Sequence, residues 1–441
     1  MSTPALRLEP YQAALQGAPL LRRWGRVTQV VGMAVEATGI EAALEEVCLL
    51  RQEDGSMLPM EVVGFRGGRA ILLPYGELRG VGPRSLVRPT GAPLQVPVGP
   101  ALLGRVLDAF GRPMDGLGPL GRLPRRPAAG QAPPPLSRPR ITRPLVTGVR
   151  AIDGLLTCGR GQRMGIFSGA GVGKSTLLGM ITRGTNAHVS VIALIGERGR
   201  EVREFLERDL GSGIQRSVVV VSTADQPPAV RLAAARVAMS IAEDFRDRGL
   251  DVLLLVDSLS RIATAQREVG LAAGEPPSAR GYPPSVFALL PRLLERAGTA
   301  ERGTITGFYT VLVDGDDPTE PVADAVRSFL DGHLLLSRDL AQAGHFPAVN
   351  VLASLSRVMP DLVDPAHYEL ACRLRRLLAA YEEARDLVEV GAYAHGSNPE
   401  VDRAIALRPA ILAFLRQERT QLCTLEETLA HLRHTLGEEA S

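Results

Sequence analysis

Hydrophobic and polar positions follow four regimes along the chain. From Gly25 to about Thr90 the pattern is one of short β-type runs, Arg26-Val-Thr-Gln-Val-Val31, Val47-Cys-Leu-Leu50, Met60-Glu-Val-Val-Gly-Phe65 and Ala70-Ile-Leu-Leu73. Asp54-Gly55, Gly67-Gly68 and Gly82-Pro83 punctuate them as hairpin turns, and a small β-barrel is expected. Residues 112–145 are rich in proline and arginine, as in Pro124-Arg-Arg-Pro127, which rules out a regular helix and predicts an extended connection laid over a surface. Beyond it, apolar strand-like segments (Val189 to Ile195, Ser217 to Val221, Asp251 to Val256, Thr304 to Val313, His333 to Leu336) alternate with helix-like ones. That alternation predicts a parallel sheet covered by helices on both faces. From about Val358 the pattern is helical to the end, with Asn398 as an N-cap and Pro399 at the first helical position. No internal repeat is found.

Composition narrows the class. A chain of 441 residues allows roughly three domains, and 45% apolar residues supply a large core. A net charge of +2 argues against a dedicated nucleic-acid binder. Cys48, Cys158, Cys372 and Cys423 have no paired spacing, which reads as a reduced, cytosolic protein without a zinc site. No signal peptide is expected, and no apolar run approaches the roughly 18 residues of a membrane span. Residues 1–24 are loosely amphipathic and end on the only tryptophan, Trp24; they read equally as a partner-docking helix and as a frayed terminus.

The chemistry centres on Ser168-Gly-Ala-Gly-Val-Gly-Lys-Ser-Thr176. It follows the strand-like Arg163-Met-Gly-Ile-Phe167 and opens a helix-like run, the context of a phosphate-binding loop. Gly169, Gly171 and Gly173 let backbone N–H groups surround an anion, Lys174 can reach the β/γ-phosphates and the Ser175 hydroxyl can hold Mg²⁺. The loop begins with Ser168 in place of the usual glycine, and Gly169 is expected to make the tight turn instead. Of 50 Lys plus Arg residues, Lys174 alone is lysine. A compact ammonium fits between phosphate oxygens where a planar guanidinium does not.

Two carboxylates end apolar strands. Glu197 follows Val189 to Ile195, at the carboxyl end where open α/β sheets bind ligands, and can polarise a water for attack on a γ-phosphate. Asp257 ends Asp251-Val-Leu-Leu-Leu-Val-Asp257 and can reach Mg²⁺ through water.

Together with Gly196-Glu-Arg-Gly-Arg-Glu201, Leu253-Leu-Leu-Val-Asp-Ser258, Gly274-Glu-Pro-Pro277, Gly281-Tyr-Pro-Pro-Ser285 and Ser354-Leu-Ser-Arg357, the loop resembles the flagellar and type III secretion export ATPases, themselves similar to the catalytic subunits of rotary ATP synthases. The resemblance runs from about Arg26 to Gln417. It implies an α/β architecture with a β-barrel at 25–92, a RecA-like P-loop ATPase domain at 93–358 and a helical domain at 359–441, preceded by the tail or partner-docking helix at 1–24. It further implies ATP with Mg²⁺ (Ser175, Asp257), a nucleotide cradle from Gly169, Ala170, Gly171, Val172, Gly173, Lys174, Ser175 and Thr176, and catalysis by Glu197 with Lys174.

By the same resemblance Arg198 and Arg261 lie near the γ-phosphate, Phe346 stacks on adenine where tyrosine is commoner, and Arg357 reaches a neighbour's nucleotide. Pro318 stands where the family has a larger apolar residue, and Phe414 is either a second adenine-side aromatic or core. The implied assembly is a homohexamer at the cytoplasmic face of the inner membrane, with peripheral membrane association. Its implied partners are a regulator or stator, a central stalk and chaperone–substrate complexes, without nucleic acid.

Three other functions compete. A rotary synthase subunit fits less well than the export branch, given Ser168 and the two Pro-Pro motifs. A hexameric RNA translocase would need stacking aromatics on the barrel, where only Phe65 and Tyr75 stand. A non-catalytic nucleotide-binding subunit would lack Glu197. Between export systems, Gly391 to Pro399 resembles the flagellar branch and Thr424 to Leu429 the injectisome branch.

Overall fold

The computed structural model describes residues 23–313 and 320–437. The expected docking segment, apart from its end at Trp24, and Pro318 therefore lie outside the described residues. The chain divides between Pro93 and Leu94 into two compact units.

The first unit is a closed six-stranded barrel of β1 (Gly25–Val31), β2 (Ala34–Thr38), β3 (Glu46–Arg51), β4 (Met57–Arg66), β5 (Arg69–Pro74) and β6 (Leu86–Pro93), in the order β1-β2-β5-β4-β3-β6. Its interior is apolar, with Val35, Leu50, Met60, Val62, Leu72 and Val87 fully buried. Asp54-Gly55 and Gly67-Gly68 are the expected hairpin turns, joining β3 to β4 and β4 to β5. Gly82-Pro83 is not one: β5 already pairs with β2 and β4, so the chain must leave it and cross to the open edges of β1 and β3. Tyr75 is buried and donates to Glu61 at 2.7 Å, so of the two barrel aromatics only Phe65 faces outward.

The second unit is built on one sheet. Its strands are β7 (Val106–Leu107), β8 (Arg163–Ser168), β9 (Val189–Glu197), β10 (Ser217–Thr223), β11 (Asp251–Asp257), β12 (Thr304–Leu312), β13 (Gly332–Leu336) and β14 (Val349–Ser356). The order is β14-β13-β8-β12-β11-β9-β10-β7, parallel except for β14, with Gly298–Thr299 added antiparallel beside β12. Every residue of β11 is buried, which requires cover on both faces. Helices α1 (Arg150–Leu155), α2 (Lys174–Gly184), α3 (Pro228–Asp247), α4 (Leu259–Ala273) and α5 (Pro321–Phe329) supply much of it.

Three long helices close the chain, α6 (Pro365–Glu389), α7 (Pro399–Leu415) and α8 (Leu425–Thr435). Asn398 caps α7 through Glu400 and Val401 N–H groups, ahead of Pro399. These helices share a core with the sheet: Ile166, Ile192 and Leu255 join Ile181 of α2, Leu155 of α1 and Leu374 and Phe414 further on. Arg150, 5% exposed, fastens the end of α7 by donating to the carbonyls of Phe414 at 2.9 Å, Ala413 at 3.3 Å and Arg416. Those carbonyls have no partner within the helix. The proline-rich connection lies extended on the unit, with Arg138 donating to the carbonyls of Ala297 and Glu295 at 3.2 and 2.5 Å.

Candidate functional site

Because the strands are parallel, β8, β9 and β11 end on one edge of the sheet, and Ser168, Glu197 and Asp257 come together there. Gly171 and Gly173 take φ of 77° and 88°, a region side chains avoid, and Gly173 is the residue from which α2 starts. Gly169, expected to make the loop's tight turn, has no positive φ. A Cβ there would lie 3.0 Å from Arg338 Nη2, the far end of a flexible side chain. Ala170 and Ser175 are exposed, Val172 is buried under the loop, and Thr176 faces the adjoining cavity.

Lys174 Nζ donates to Asp257 Oδ1 at 2.6 Å and to Glu197 Oε1 at 3.4 Å. The side chains are 13%, 4% and 14% exposed. Burial alone would lower the ammonium's pKa, but the two carboxylates outweigh it and raise it, so Lys174 is charged. Glu197 is pushed up to about 7, first by burial and then by the negative charge of Asp257, against the pull of Lys174. A carboxyl poised near neutrality suits a general base.

Phe346 and the phosphate loop enclose the next space. A Cβ on Gly173 would meet the Phe346 ring at 3.3 Å, and Gly173, Thr176, Met180, Phe346 and the segment Arg416 to Gln421 line a cavity of 800 Å³. That segment is locked by Gln417, 4% exposed: its side-chain amide donates to Gly148 O at 2.7 Å and Gln421 O at 2.8 Å, its Oε1 accepts from Arg150 N–H at 2.9 Å, and its backbone N–H donates to Phe346 O at 2.9 Å. Phe414 is fully buried, edge-on to His431, and belongs to the core.

Arg198 reaches solvent, 78% exposed, 3.6 Å from Glu201. Arg261 is exposed and packs its stem on Gly196, where a Cβ would approach its own to 2.9 Å. Arg357 is not brought to this edge. It follows β14, whose Ser356 pairs with Gly332 at the start of β13, itself level with Met164. Met164 lies four residues before Ser168, roughly 13 Å along a strand. For a metal, the described residues contain no cluster of three His, Cys, Asp or Glu. The Ser175 hydroxyl and Asp257 carboxylate are an oxygen set suited to Mg²⁺ held jointly with substrate phosphates rather than in a protein cage.

Family models match three stretches: the ATP synthase alpha/beta family β-barrel domain at residues 27–91, its nucleotide-binding domain at 148–356, and the T3SS EscN ATPase C-terminal domain at 363–434. The chain is 52% identical over 423 residues to the flagellum-specific ATP synthase of Bacillus subtilis, covering 95% of this chain and 96% of that one. It is 56% identical over 410 residues to the type 3 secretion system ATPase of Xanthomonas euvesicatoria, covering 92% and 93%. The chain belongs to the flagellar and type III secretion ATPases.

Its fold agrees. The assembled ATPase EscN of enteropathogenic E. coli superposes with a TM-score of 0.89 at 44% identity, over 93% of this chain and 100% of that one. EscN in complex with its central stalk EscO gives a TM-score of 0.87 at 43% identity with the same coverage. For this export-ATPase chain, sequence reasoning missed Arg338, Gln417 and Thr310, whose hydroxyl donates to Asp257 Oδ1 at 2.6 Å. A polar residue inside the buried β12, beside the acid-ending strand, was the one signal available for Thr310; Arg338 and Gln417 carry none.

Proposed function

We propose that this chain hydrolyses ATP to ADP and phosphate as a homohexameric ring that drives protein export through a flagellar or injectisome apparatus. The observation that carries the reading is the cluster of Lys174, Glu197 and Asp257 at the sheet edge, while Arg357 stands free of it at the other edge of the same subunit, where a neighbour in a ring could use it. Likeness to assembled EscN, and to EscN bound to its stalk EscO, supports the ring and a central-stalk partner here.

In this reading the backbone N–H groups of Gly169 to Thr176 hold the phosphates, and Phe346 stacks on adenine above Gly173. Lys174 exchanges its two carboxylates for phosphate oxygens. Glu197, released from Lys174, orients a water and takes its proton as it attacks the γ-phosphate. Arg198 and Arg261 flank that phosphate, and Arg357 of a neighbouring subunit stabilises its developing charge. Ser175 and Asp257 would hold Mg²⁺, which would supply neutralisation of phosphate charge when bound. The division into a tail at 1–24, barrel at 25–92, ATPase domain at 93–358 and helical domain at 359–441 belongs to the same reading. So do chaperone release, substrate unfolding, a regulator or stator partner, and a place at the cytoplasmic face of the inner membrane.

The test measures phosphate release against protein concentration beside the mass of the assemblies. Activity per subunit should climb where hexamers form, and adding chaperone-bound export substrate with ATP should free the substrate from its chaperone. Equal activity per subunit in monomers and hexamers would contradict the shared site.

A further inference from the structure

Asp257 has a donor besides Lys174. Thr310 is fully buried in β12, and its Oγ1 lies 2.6 Å from Asp257 Oδ1 and 3.4 Å from the Val256 carbonyl oxygen. A hydroxyl has one proton to give, and the shorter contact takes it. Lys174 donates to the same oxygen, so both donors that the described residues give Asp257 converge on Oδ1. The two differ in what happens on nucleotide binding. Lys174 sits on a flexible four-carbon stem and must turn to the phosphates. Thr310 is pinned, in a strand paired with β8 on one side and β11 on the other.

The hydroxyl has no other evident reason to be there. Phe308, Tyr309 and Val311 around it are buried, valine has nearly the same shape, and a buried hydroxyl costs free energy unless it is hydrogen-bonded. Its bond to the strand carbonyl is the long one.

We propose that Thr310 is a positioning residue for magnesium: its hydroxyl holds the Asp257 carboxylate by Oδ1 after Lys174 has left, keeping Oδ2 uncommitted for the metal's water shell. This rests on the reading of Asp257 as the magnesium acid. Groups that orient a metal's acidic partners without touching the metal are worth 10–100-fold in metal affinity.

The experiment titrates Mg²⁺ into full-length protein holding a fluorescent ADP analogue, and separately titrates the analogue in EDTA. Thr310→Val should weaken the apparent Mg²⁺ affinity by about 10–100-fold. Its metal-free nucleotide affinity should stay within about twofold, a change under ~0.5 kcal/mol. Thr310→Ser, which keeps the hydroxyl, should restore Mg²⁺ affinity. Should Thr310→Val lose its cooperative unfolding transition, Thr310→Ala replaces it with the same expected shift. Asp257→Asn sets the scale. If Asp257→Asn weakens Mg²⁺ but the hydroxyl-free variant does not, or weakens metal-free binding equally, the role of Thr310 is overturned alone. If Asp257→Asn itself binds Mg²⁺ like wild type, the reading of Asp257 falls and this proposal with it.

Discussion

Arg357 donates its backbone N–H to the carbonyl of Asp331 at 3.0 Å, one residue before β13 begins. The bond fixes it at the amino-terminal edge of the parallel strands, whereas Lys174 opens α2 beyond their carboxyl ends. An arginine side chain is too short to span the sheet and the loop above it. Arg357 is exposed, and no ion pair holds its guanidinium among the described residues. That placement leaves it available to a neighbouring subunit, as the proposed ring requires.

Glu197→Gln should retain ATP binding and lose turnover. The amide keeps the shape beside Lys174 but cannot take a proton from water. Nucleotide titration and steady-state phosphate release check both halves; hydrolysis near the wild-type rate would remove Glu197 from the base role.

Lys174→Arg should fail in a chain whose every other cationic Lys or Arg position is arginine. The Lys174 side chain is 13% exposed with its ammonium 2.6 Å from Asp257, and the wider guanidinium spreads its donors in a plane. Nucleotide affinity should fall by roughly tenfold or more, at least ~1.4 kcal/mol. An affinity within about twofold of wild type would contradict the size argument.

The acid limb of kcat/KM reports the free enzyme's base. Glu197 is ionised only above its raised pKa of about 7, so kcat/KM should fall tenfold per pH unit below that point and level off above it. Lys174, shifted upward, does not titrate there. A limb at the ordinary glutamate value of about 4.3 would contradict the upward shift that burial and Asp257 give Glu197.

Phe346→Ala should raise KM for ATP roughly tenfold, since stacking on a base is worth about 1–3 kcal/mol, with little change in kcat. Phe346→Tyr should behave like wild type. A loss of kcat at unchanged KM would place Phe346 in the chemistry instead of against the adenine.

What the sequence revealed and what it hid divide by range. The phosphate loop is contiguous, and Glu197 and Asp257 announce themselves as acids ending apolar strands, so the heart of the site was readable without a partner structure. Phe346 and Arg357 were reachable only through family resemblance, because neither sits in a pattern that demands its chemistry. Thr310 is 53 residues from Asp257, and Gln417 is 269 from the Gly148 carbonyl it holds; such contacts exist only once strand order is known. The same cause undid the Gly82-Pro83 hairpin, since no local signal says that β5 already has both neighbours.

The measurement that tests the shared site most directly mixes two inactive proteins, Arg357→Ala and Glu197→Gln. Each alone should fold and bind nucleotide; Arg357→Ala should hydrolyse about 10³–10⁵-fold more slowly, the range an arginine finger is worth, and Glu197→Gln should not turn over. In a mixed ring, some boundaries pair Glu197 from the first protein with Arg357 from the second. Those boundaries are intact, so phosphate release should reappear on mixing and follow the fraction of mixed rings seen by mass. Mixed rings that form and stay inactive would contradict the placement of Arg357 at a neighbour's nucleotide.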